Sequence, residues 1–276
     1  NAHSVAATYD AAGQMTASVD ALGYVTTSEY DSQGEVVRAR RYEMAIAGWN
    51  AESSFDGVIP ASVLGSAHIS STASFDANGR LSASVDGLGF VTRYIYNGAG
   101  QAVRTMQYAT PVGEDLDATQ LSAALAGLYR DSEPAIVTAA AYDANGRATV
   151  VVDALGHVTQ TAYNADGQAT STTRYQQAIA DWPAGAASFD GALPPAVTGG
   201  VAYTSHDAYD AAGRQLSHVD ALGHVTHYEY SGYDEPVRTI QYAAGTDPAG
   251  ARATATWYDA NGRAVRAMHA AGYLSE

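Results

Sequence analysis

Apolar and polar residues alternate along many short segments of this chain. Residues 80–85, written Arg-Leu-Ser-Ala-Ser-Val, place an apolar side chain at every second position. Successive side chains of a β-strand point to opposite faces of the sheet, so this alternation is typical of half-buried antiparallel strands. We therefore predict a series of β-strands with one face toward a core.

Two short phrases separate these segments. The first, Tyr-Asp-x-x-Gly with Phe in one copy, begins at residues 9, 75, 142, 209 and 258. The second, Asp-x-Leu-Gly, begins at residues 20, 86, 153 and 220. The Asp can accept a hydrogen bond from the backbone two residues on, and the Gly supplies the left-handed conformation of a bulged type I turn. Both phrases predict hairpin turns.

The phrases recur at a fixed distance. Tyr142 and Tyr209 lie 67 residues apart, and within each copy a second Tyr follows 21 residues after the first, as from Tyr142 to Tyr163. A fixed period means that each copy is one supersecondary unit, which buries its apolar face only by stacking on its neighbours. The repetition indicates that the function lies in the shape of the array.

These phrases resemble the YD-repeat, or RHS-repeat, family, whose unit reads Tyr-Asp, two residues, Gly, a strand, a second turn, a strand and Tyr-Asp again. Some turns depart from that pattern: Asn97 replaces Asp in one, and residues 230–234 lack the closing Gly. Asp234 can adopt the left-handed conformation in its place. The resemblance implies a β-sheet that winds spirally into a shell or tube. Shells of this family enclose toxin cargo in bacteria, and related assemblies act in insecticidal toxin complexes and in cell-surface adhesion.

The expected fold class is all-β: repetitive antiparallel hairpins in one continuous spiralling sheet, with short helical or loop inserts between units. Residues 1–276 are expected to form a single array that is a fragment of a longer protein. The predicted units are 4–42, 70–108, 137–175, 204–242 and an incomplete 253–276, and the inserts are 43–69, 109–136, 176–203 and 243–252.

The inserts show a longer order. The first and third inserts match each other, and lie 133 residues apart, so the true repeat is a doublet of about that length. In the second insert, Asp117 to Gln120 forms a predicted capping box before a short helix that presents Leu121, Leu125 and Leu128 on one face. We expect the inserts to cover an apolar strip or an edge of the sheet, and their exposed side to be the place for specific binding.

Composition narrows the class of protein. The chain has 46% hydrophobic residues, no Cys, and a formal net charge of −15, with 14 basic residues that are all Arg. Such an acidic balance disfavours nucleic acid and anionic membrane surfaces, and no apolar run approaches the roughly 20 residues that span a bilayer. The absence of Cys favours, weakly, a bacterial protein exported without disulfides, at the cell surface or outside the cell.

Candidate chemistry is sparse. The sequence has no nucleophile elbow, phosphate loop or zinc-protease motif, and nearly every polar residue recurs as framework, so we predict no catalytic site, cofactor or specific metal site. His224 and His227 stand three residues apart on a strand and therefore face opposite sides of it. The Asp-rich turns are explained by turn chemistry, and weak calcium binding stays open.

Aromatic residues offer the remaining candidates. Nineteen Tyr, most of them at unit boundaries, are expected to pack between strands, with sugar stacking as the alternative. Trp49 and Trp182 lie in the inserts, where they could contact a carbohydrate or a protein partner or anchor the insert to the sheet.

Two hypotheses follow. The first is a non-enzymatic repeat segment of a large exported protein, which contacts neighbouring repeats of the same chain and builds a shell, tube or stalk. The second is a recognition or adhesion module for carbohydrate or a cell-surface partner.

Overall fold

The computed structural model describes residues 5–50, 52–131, 134–182, 189–242, 251–259, 261–268 and 274–275. The chain divides into two compact parts, which we call the N-terminal half, Asn1–Val137, and the C-terminal half, Thr138–Glu276. Most of the fourth insert, residues 243–250, lies outside the described residues.

The N-terminal half holds a meander of short strands and two helices. Its elements are β1 (Ala6–Tyr9), β2 (Met15–Val19), β3 (Tyr24–Tyr30), β4 (Val36–Ala45), α1 (Ala61–Leu64), β5 (His68–Phe75), β6 (Leu81–Val85), β7 (Val91–Tyr96), β8 (Ala102–Tyr108) and α2 (Ala118–Asp131).

The C-terminal half repeats the order of four strands, a short helix and four strands, and continues with three further strands; the first residues of its first strand precede the division. Its elements are β9 (Pro134–Tyr142), β10 (Ala148–Val152), β11 (Val158–Tyr163), β12 (Ala169–Tyr175), α3 (Pro195–Thr198), β13 (Ala202–Tyr209), β14 (Gln215–Val219), β15 (Val225–Tyr230), β16 (Pro236–Tyr242), β17 (Arg252–Tyr258), β18 (Ala264–Met268) and β19 (Leu274–Ser275).

Within each half, consecutive strands pair antiparallel. The pairing runs without a crossover from β1 to β8 and from β9 to β19. The prediction of an all-β fold made of repetitive antiparallel hairpins with short helical inserts is confirmed. The division into repeat units and inserts at the predicted boundaries stays a prediction.

The turns have the predicted conformation. In the first, the Gly13 N–H donates to the Asp10 carbonyl oxygen at 3.1 Å, and the Asp10 N–H donates to the Gln14 carbonyl oxygen at 2.9 Å. Gly13 has a φ of +81°, and the strand register shifts next to the turn, as a bulge requires. Where the closing Gly is missing, Asp234 takes a φ of +65°, which confirms the prediction for that turn.

The meander separates the two kinds of turn. Because strands alternate in direction, every Tyr-Asp turn of a half lies at one end of its strands, which we call the Tyr-Asp end. The Asp-x-Leu-Gly turns and the inserts lie at the opposite end, which we call the insert end. The repeated phrases are therefore gathered at one end, and the variable segments at the other.

The apolar core lies on one face of the sheet, beneath the inserts. In the N-terminal half, Val19 and Val25 are buried against Val63 of α1. In the C-terminal half, Val152 and Val158 are buried against Val197 of α3. We call this the covered face. For the first and third inserts, it confirms the prediction that an insert covers an apolar strip. No helix among the described residues is both long and apolar enough to cross a bilayer.

Candidate functional site: the two ends of the strands and the covered face

The Tyr-Asp end is held by a repeated side-chain clamp. In the second repeat, Arg80 Nη2 lies 2.6 Å from Asp76 Oδ2, and its guanidinium carbon lies 4.6 Å from the centre of the Tyr96 ring. The Tyr96 hydroxyl donates to the Leu81 carbonyl oxygen at 2.9 Å. Arg80 Nη1 also donates to the carbonyl oxygen of Asn97 in the next turn. One turn is thus tied to the next by a single arginine.

The same clamp recurs in the C-terminal half. Arg147 and Arg214 lie 2.7 Å and 2.6 Å from the carboxylates of Asp143 and Asp210. Their guanidinium carbons lie 4.8 Å and 4.9 Å from the rings of Tyr163 and Tyr230, and both tyrosine hydroxyls donate to a carbonyl oxygen on the neighbouring strand. The prediction that tyrosines pack across strands is confirmed at these positions.

The turn aspartates carry a shifted pKa for local reasons. The Arg214 side chain is the largest influence on Asp210 and, with the backbone N–H of the same residue, holds its pKa below the usual value. The Arg80 side chain lowers the pKa of Asp76 in the same way. These carboxylates already accept hydrogen bonds from their own turns, as the Asx geometry requires. Within the described part of the chain, no group of three His, Asp or Glu side chains could hold a metal ion.

His224 belongs to this local chemistry too. Its Nδ1 lies 2.8 Å from Asp220 Oδ2 within one turn. His227 pairs with Ser217 of β14, and Thr226 with His218. Residues three apart on a strand face opposite sides, and His224 is bound to Asp220 of its own turn, so the two histidines do not form one site.

The two tryptophans named from the sequence both pack on the covered face. Trp49 contacts the core that contains Val19, Val25 and Val63. Trp182 packs beside Phe189 with the ring planes at 88° and centroids 6.1 Å apart. Both Trp side chains lie against a turn glycine at the insert end, Gly23 and Gly156 respectively.

The turn glycine leaves room for the tryptophan of the insert. A Cβ added to Gly23 or Gly156 would lie 2.9 Å from the Trp Cβ, which is closer than real Cβ atoms approach. The carbonyl oxygens of both glycines also accept the N–H of an insert isoleucine, Ile46 or Ile179, at 2.9 Å. Each Trp is therefore an anchor of its insert, while its role toward a ligand stays a prediction.

The loop at the start of the second insert is held by charge. Its residue Asp115 reaches the covered face, where Oδ1 lies 2.5 Å from Arg40 Nε and Oδ2 lies 3.3 Å from His68 Nε2. Arg40 and Arg38 both contact Glu29 on β3, at 2.6 Å and 2.5 Å. We call Glu29, Arg38, Arg40, His68 and Asp115 the charge cluster.

Buried hydroxyls complete the attachment of the second insert. The Asp115 N–H donates to Ser70 Oγ at 2.8 Å, and Thr72 Oγ1 donates to the Leu116 carbonyl oxygen at 3.1 Å. Ser70 and Thr72 are only 4% and 3% exposed, so these bonds satisfy polar groups that water does not reach. Asp115 has a φ of +55°, an uncommon conformation for a residue with a side chain.

Helix α2 follows directly. Asp117 Oδ1 accepts the Gln120 N–H at 2.8 Å, and Gln120 Oε1 accepts the Asp117 N–H at 2.9 Å. This reciprocal pair is the predicted capping box. Leu121, Leu125 and Leu128 are buried, at 1%, 8% and 6% exposure. The prediction of the helix, its cap and its apolar face is confirmed.

Electrostatics shifts the pKa of the acids in the charge cluster. Burial alone would raise the pKa of Asp115, but the hydrogen bonds and charge of Arg40, with His68 and Arg38, outweigh it and hold the pKa below the usual value. The same opposition holds for Glu29, where Arg38 and Arg40 overcome the effect of burial. Both acids are charged at neutral pH, so the cluster binds the insert as ion pairs.

Sequence reasoning missed the charge cluster. The signal was available in the spacing, since Arg38 and Arg40 stand two apart on one strand and must share a face. The corresponding strand pair of the third repeat holds Ala162, Ser171 and Thr173. The sequence could not identify Asp115 as the partner of Arg40, because Asp115 lies in a loop whose path no sequence pattern predicts.

Comparison with known proteins agrees with this architecture. The family model described as RHS Repeat matches residues 9–42, 75–110 and 209–247. These three segments are RHS repeats. The proposed resemblance is therefore confirmed over these segments, which include the clamps of Arg80 and Arg214. None of the curated proteins matches the chain significantly.

Solved structures extend the likeness across nearly the whole chain. The crystal structure of TcdB2-TccC3 without its hypervariable C-terminal region matches 96% of this chain with a TM-score of 0.62 and 14% identity. A mutant Tc holotoxin pore of Photorhabdus luminescens gives the same values. This chain covers 11% of each of those chains. At such identity the likeness shows the fold.

Proposed function

We propose that this chain is a non-enzymatic wall segment of a large exported bacterial protein, in which RHS repeats build a β-sheet shell, tube or stalk. Its partners are neighbouring repeats of the same long chain, and its location is extracellular or at the cell surface. The RHS repeats and the likeness to Tc toxin structures support this proposal.

The repeated clamp carries the proposal. Arg80, Arg147 and Arg214 occupy the same position and make the same contacts within 0.3 Å. Polar side chains that could perform chemistry are used here to join one turn to the next. A catalytic group must be aimed at a substrate, whereas these groups are satisfied by the framework.

Electron microscopy of the longest natural polypeptide that carries this chain tests the wall directly. A closed hollow particle or an extended filament of β-sheet is the expected result. A compact particle with no continuous wall would contradict the proposal. Hollow and extended particles then distinguish a cargo shell from a stalk.

A recognition role is the second candidate, and one observation favours it. An open cavity of about 360 Å³ lies at the first insert, lined by Trp49 and Phe55 together with the acidic side chains of Glu52 and Asp56. Aromatic faces beside carboxylates suit carbohydrate, because a sugar has both apolar ring faces and hydroxyl donors.

A glycan array tests this candidate. The Glu52→Ala variant removes an exposed carboxylate from the cavity and keeps the tryptophan anchor. The Trp49→Ala and Trp182→Ala variants remove the anchors of the first and third inserts and show whether either tryptophan is needed for binding. Binding that is lost in Glu52→Ala and retained in Trp182→Ala would support recognition at the first insert. If no glycan gives a signal above background, only the structural role as a wall segment remains.

A further inference from the structure

The first repeat binds one of its own arginines at the insert end. Arg41 Nη2 lies 2.8 Å from Asp20 Oδ2, and the Arg41 guanidinium carbon lies 5.5 Å from the centre of the Tyr24 ring. Asp20 begins the Asp-x-Leu-Gly turn between β2 and β3, and Arg41 pairs with Thr26 across β3 and β4. A turn carboxylate and the aromatic ring that follows it therefore bind a guanidinium together.

The second repeat keeps the carboxylate and the ring but not the arginine. Asp86 and Phe90 take the places of the turn acid and the ring, and Gln107 pairs with Thr92 at the position of the arginine. Asp86 Oδ1 accepts the N–H groups of Leu88 and Phe90, as the turn requires. Among the described residues, no cation lies within ion-pair distance of Asp86.

A cavity lies at this position of the second repeat. Its volume is about 340 Å³, within the range of small-molecule sites. Its lining includes Asp86, Phe90, Thr92, Gln107 and Ile136. Phe90 and Ile136 are 40% and 44% exposed. The cavity thus places one carboxylate beside two apolar side chains that the fold leaves partly open to solvent.

These groups suit an arginine side chain. A guanidinium can donate hydrogen bonds to a carboxylate and stack on an aromatic ring, and its methylene stem packs on apolar side chains. The compact ammonium of lysine lacks the planar surface for the same stacking. The net charge of −15 also draws a cationic partner toward the chain.

The other two repeats satisfy this position from within the chain. In the fourth repeat, Gln241 again replaces the arginine, but His224 stands at the ring position with its Nδ1 2.8 Å from Asp220 Oδ2. The cavity there is also lined by the cation Arg252, which would repel a second cation. The third repeat keeps an arginine, Arg174, at the paired position.

We propose that the cavity at the Asp86 turn binds an arginine side chain of another polypeptide, with Asp86 as the ionic partner and Phe90 as the stacking partner. The first repeat supports this assignment, because the same two positions bind Arg41 within the chain. The site is separate from the cavity at the first insert, and it does not depend on whether the wall is closed or extended.

NMR titration of the chain with N-acetyl-arginine-methylamide, at low salt and pH 7, tests the site. Saturable shifts of the Asp86, Leu88 and Phe90 amide signals are expected at millimolar probe, because exposed ion pairs and cation–π contacts are individually weak. The citrulline analogue has the same shape without the charge and should bind about threefold more weakly or worse. Asp86→Asn keeps an oxygen for the turn and should weaken arginine binding similarly.

Three further substitutions separate the site from the fold. Gln107→Arg places an arginine where the first repeat has one and should abolish the shifts without removing any proposed contact. Gln241→Arg makes the same change in the fourth repeat and, as the matched control, should leave binding unchanged. Arg41→Gln opens the first repeat and should add saturable shifts at the Leu22 and Tyr24 amides. Circular dichroism confirms that each variant folds.

Several results would overturn the proposal. These are the absence of a saturable shift with the arginine probe, equal binding of the citrulline probe, binding that persists in folded Asp86→Asn or Gln107→Arg, an equal loss in Gln241→Arg, and no new shift in folded Arg41→Gln. Shifts of the same amides that depend on chain concentration without any probe would assign the site to a second copy of this chain, which also contradicts the proposal.

Discussion

The first and second inserts cover the same face of the N-terminal half by different means, and the third insert covers the C-terminal half in the manner of the first. The first and third are anchored by Trp49 and Trp182 against a valine core. The second has buried leucines in α2 and, in addition, the ion pairs of Asp115 and two buried hydroxyls in the loop before the helix. Apolar burial is almost independent of salt, whereas ion pairs between partly exposed groups are screened. The same repeat framework therefore carries inserts whose attachment to the sheet responds differently to salt.

Removing a tryptophan anchor should have the largest effect. Trp182→Ala is expected to lower the free energy of unfolding by about 2–4 kcal/mol, somewhat below the range for a fully buried Trp because the ring is partly exposed. Trp257→Ala is the matched control in the same half, since Trp257 is 45% exposed on β17, and it should cost much less. Urea unfolding at two salt concentrations measures both. Equal losses in the two variants would contradict the anchor.

The turn glycine beside the tryptophan offers a sharper comparison. Gly156 and Gly223 occupy the same turn position with φ of +83° and +84°, but only Gly156 lies against a Trp. Gly223→Ala should cost about 1 kcal/mol for the left-handed conformation alone. Gly156→Ala should cost roughly 1–3 kcal/mol more, because the new methyl group overlaps Trp182. Thermal unfolding of both variants measures the difference. Equal losses of stability would show that Trp182 can move to accommodate a methyl group at Gly156.

The charge cluster should show a smaller and salt-dependent effect. Asp115→Asn is expected to destabilise the N-terminal half by about 1–2 kcal/mol at low salt, because it weakens hydrogen bonds that are charge-assisted. The loss should shrink at 1 M NaCl, where the Debye length is about 3 Å. Asp117→Asn, which keeps a side-chain oxygen at the helix cap, is the control. A loss that does not change with salt would exclude ion pairing as its cause.

Lowering the pH should destabilise the fold in part through the charge cluster. The pKa of Asp115 and of Glu29 is lowered in the folded protein, so each carboxylate adds stability above its unfolded pKa of about 4. That contribution is lost as pH falls through the lowered folded pKa, and it does not change between neutral and mildly acidic pH. Urea unfolding measured at a series of acidic pH values should show that the free energy of unfolding falls less steeply with decreasing pH in Asp115→Asn than in the unchanged chain. An unchanged slope would mean that other acids govern the loss.

The framework could be predicted from the sequence because each of its parts is local. An Asp and a Gly at fixed spacing define a turn, alternation defines the faces of a strand, and a capping box defines the start of α2. The recurrence of these signals removed the ambiguity that a single copy would have. The Asp234 turn was predictable for the same reason, since the phrase kept its place in the repeat although Ser231 and Asp234 replace the usual Asp and Gly.

The way in which the inserts attach to the sheet could be predicted only in part. The sequence named Trp49 and Trp182 but left open whether each contacts a ligand or the sheet, because a partly exposed aromatic residue serves either role. The short helices α1 and α3 each follow a Pro, Pro60 and Pro194, yet they are too brief to show helical periodicity. The charge cluster depends on long-range contacts between β4, β5 and a loop, which no local pattern encodes.

Hydrogen exchange measured by mass spectrometry, at low salt and at 1 M NaCl, tests most directly whether the covers are held by different forces. We expect amides around Asp115 and Leu116 to exchange faster at high salt, while amides of the first insert around Ile46 and Trp49 keep their protection. Equal changes in the two inserts, or protection around Asp115 that salt does not alter, would contradict it.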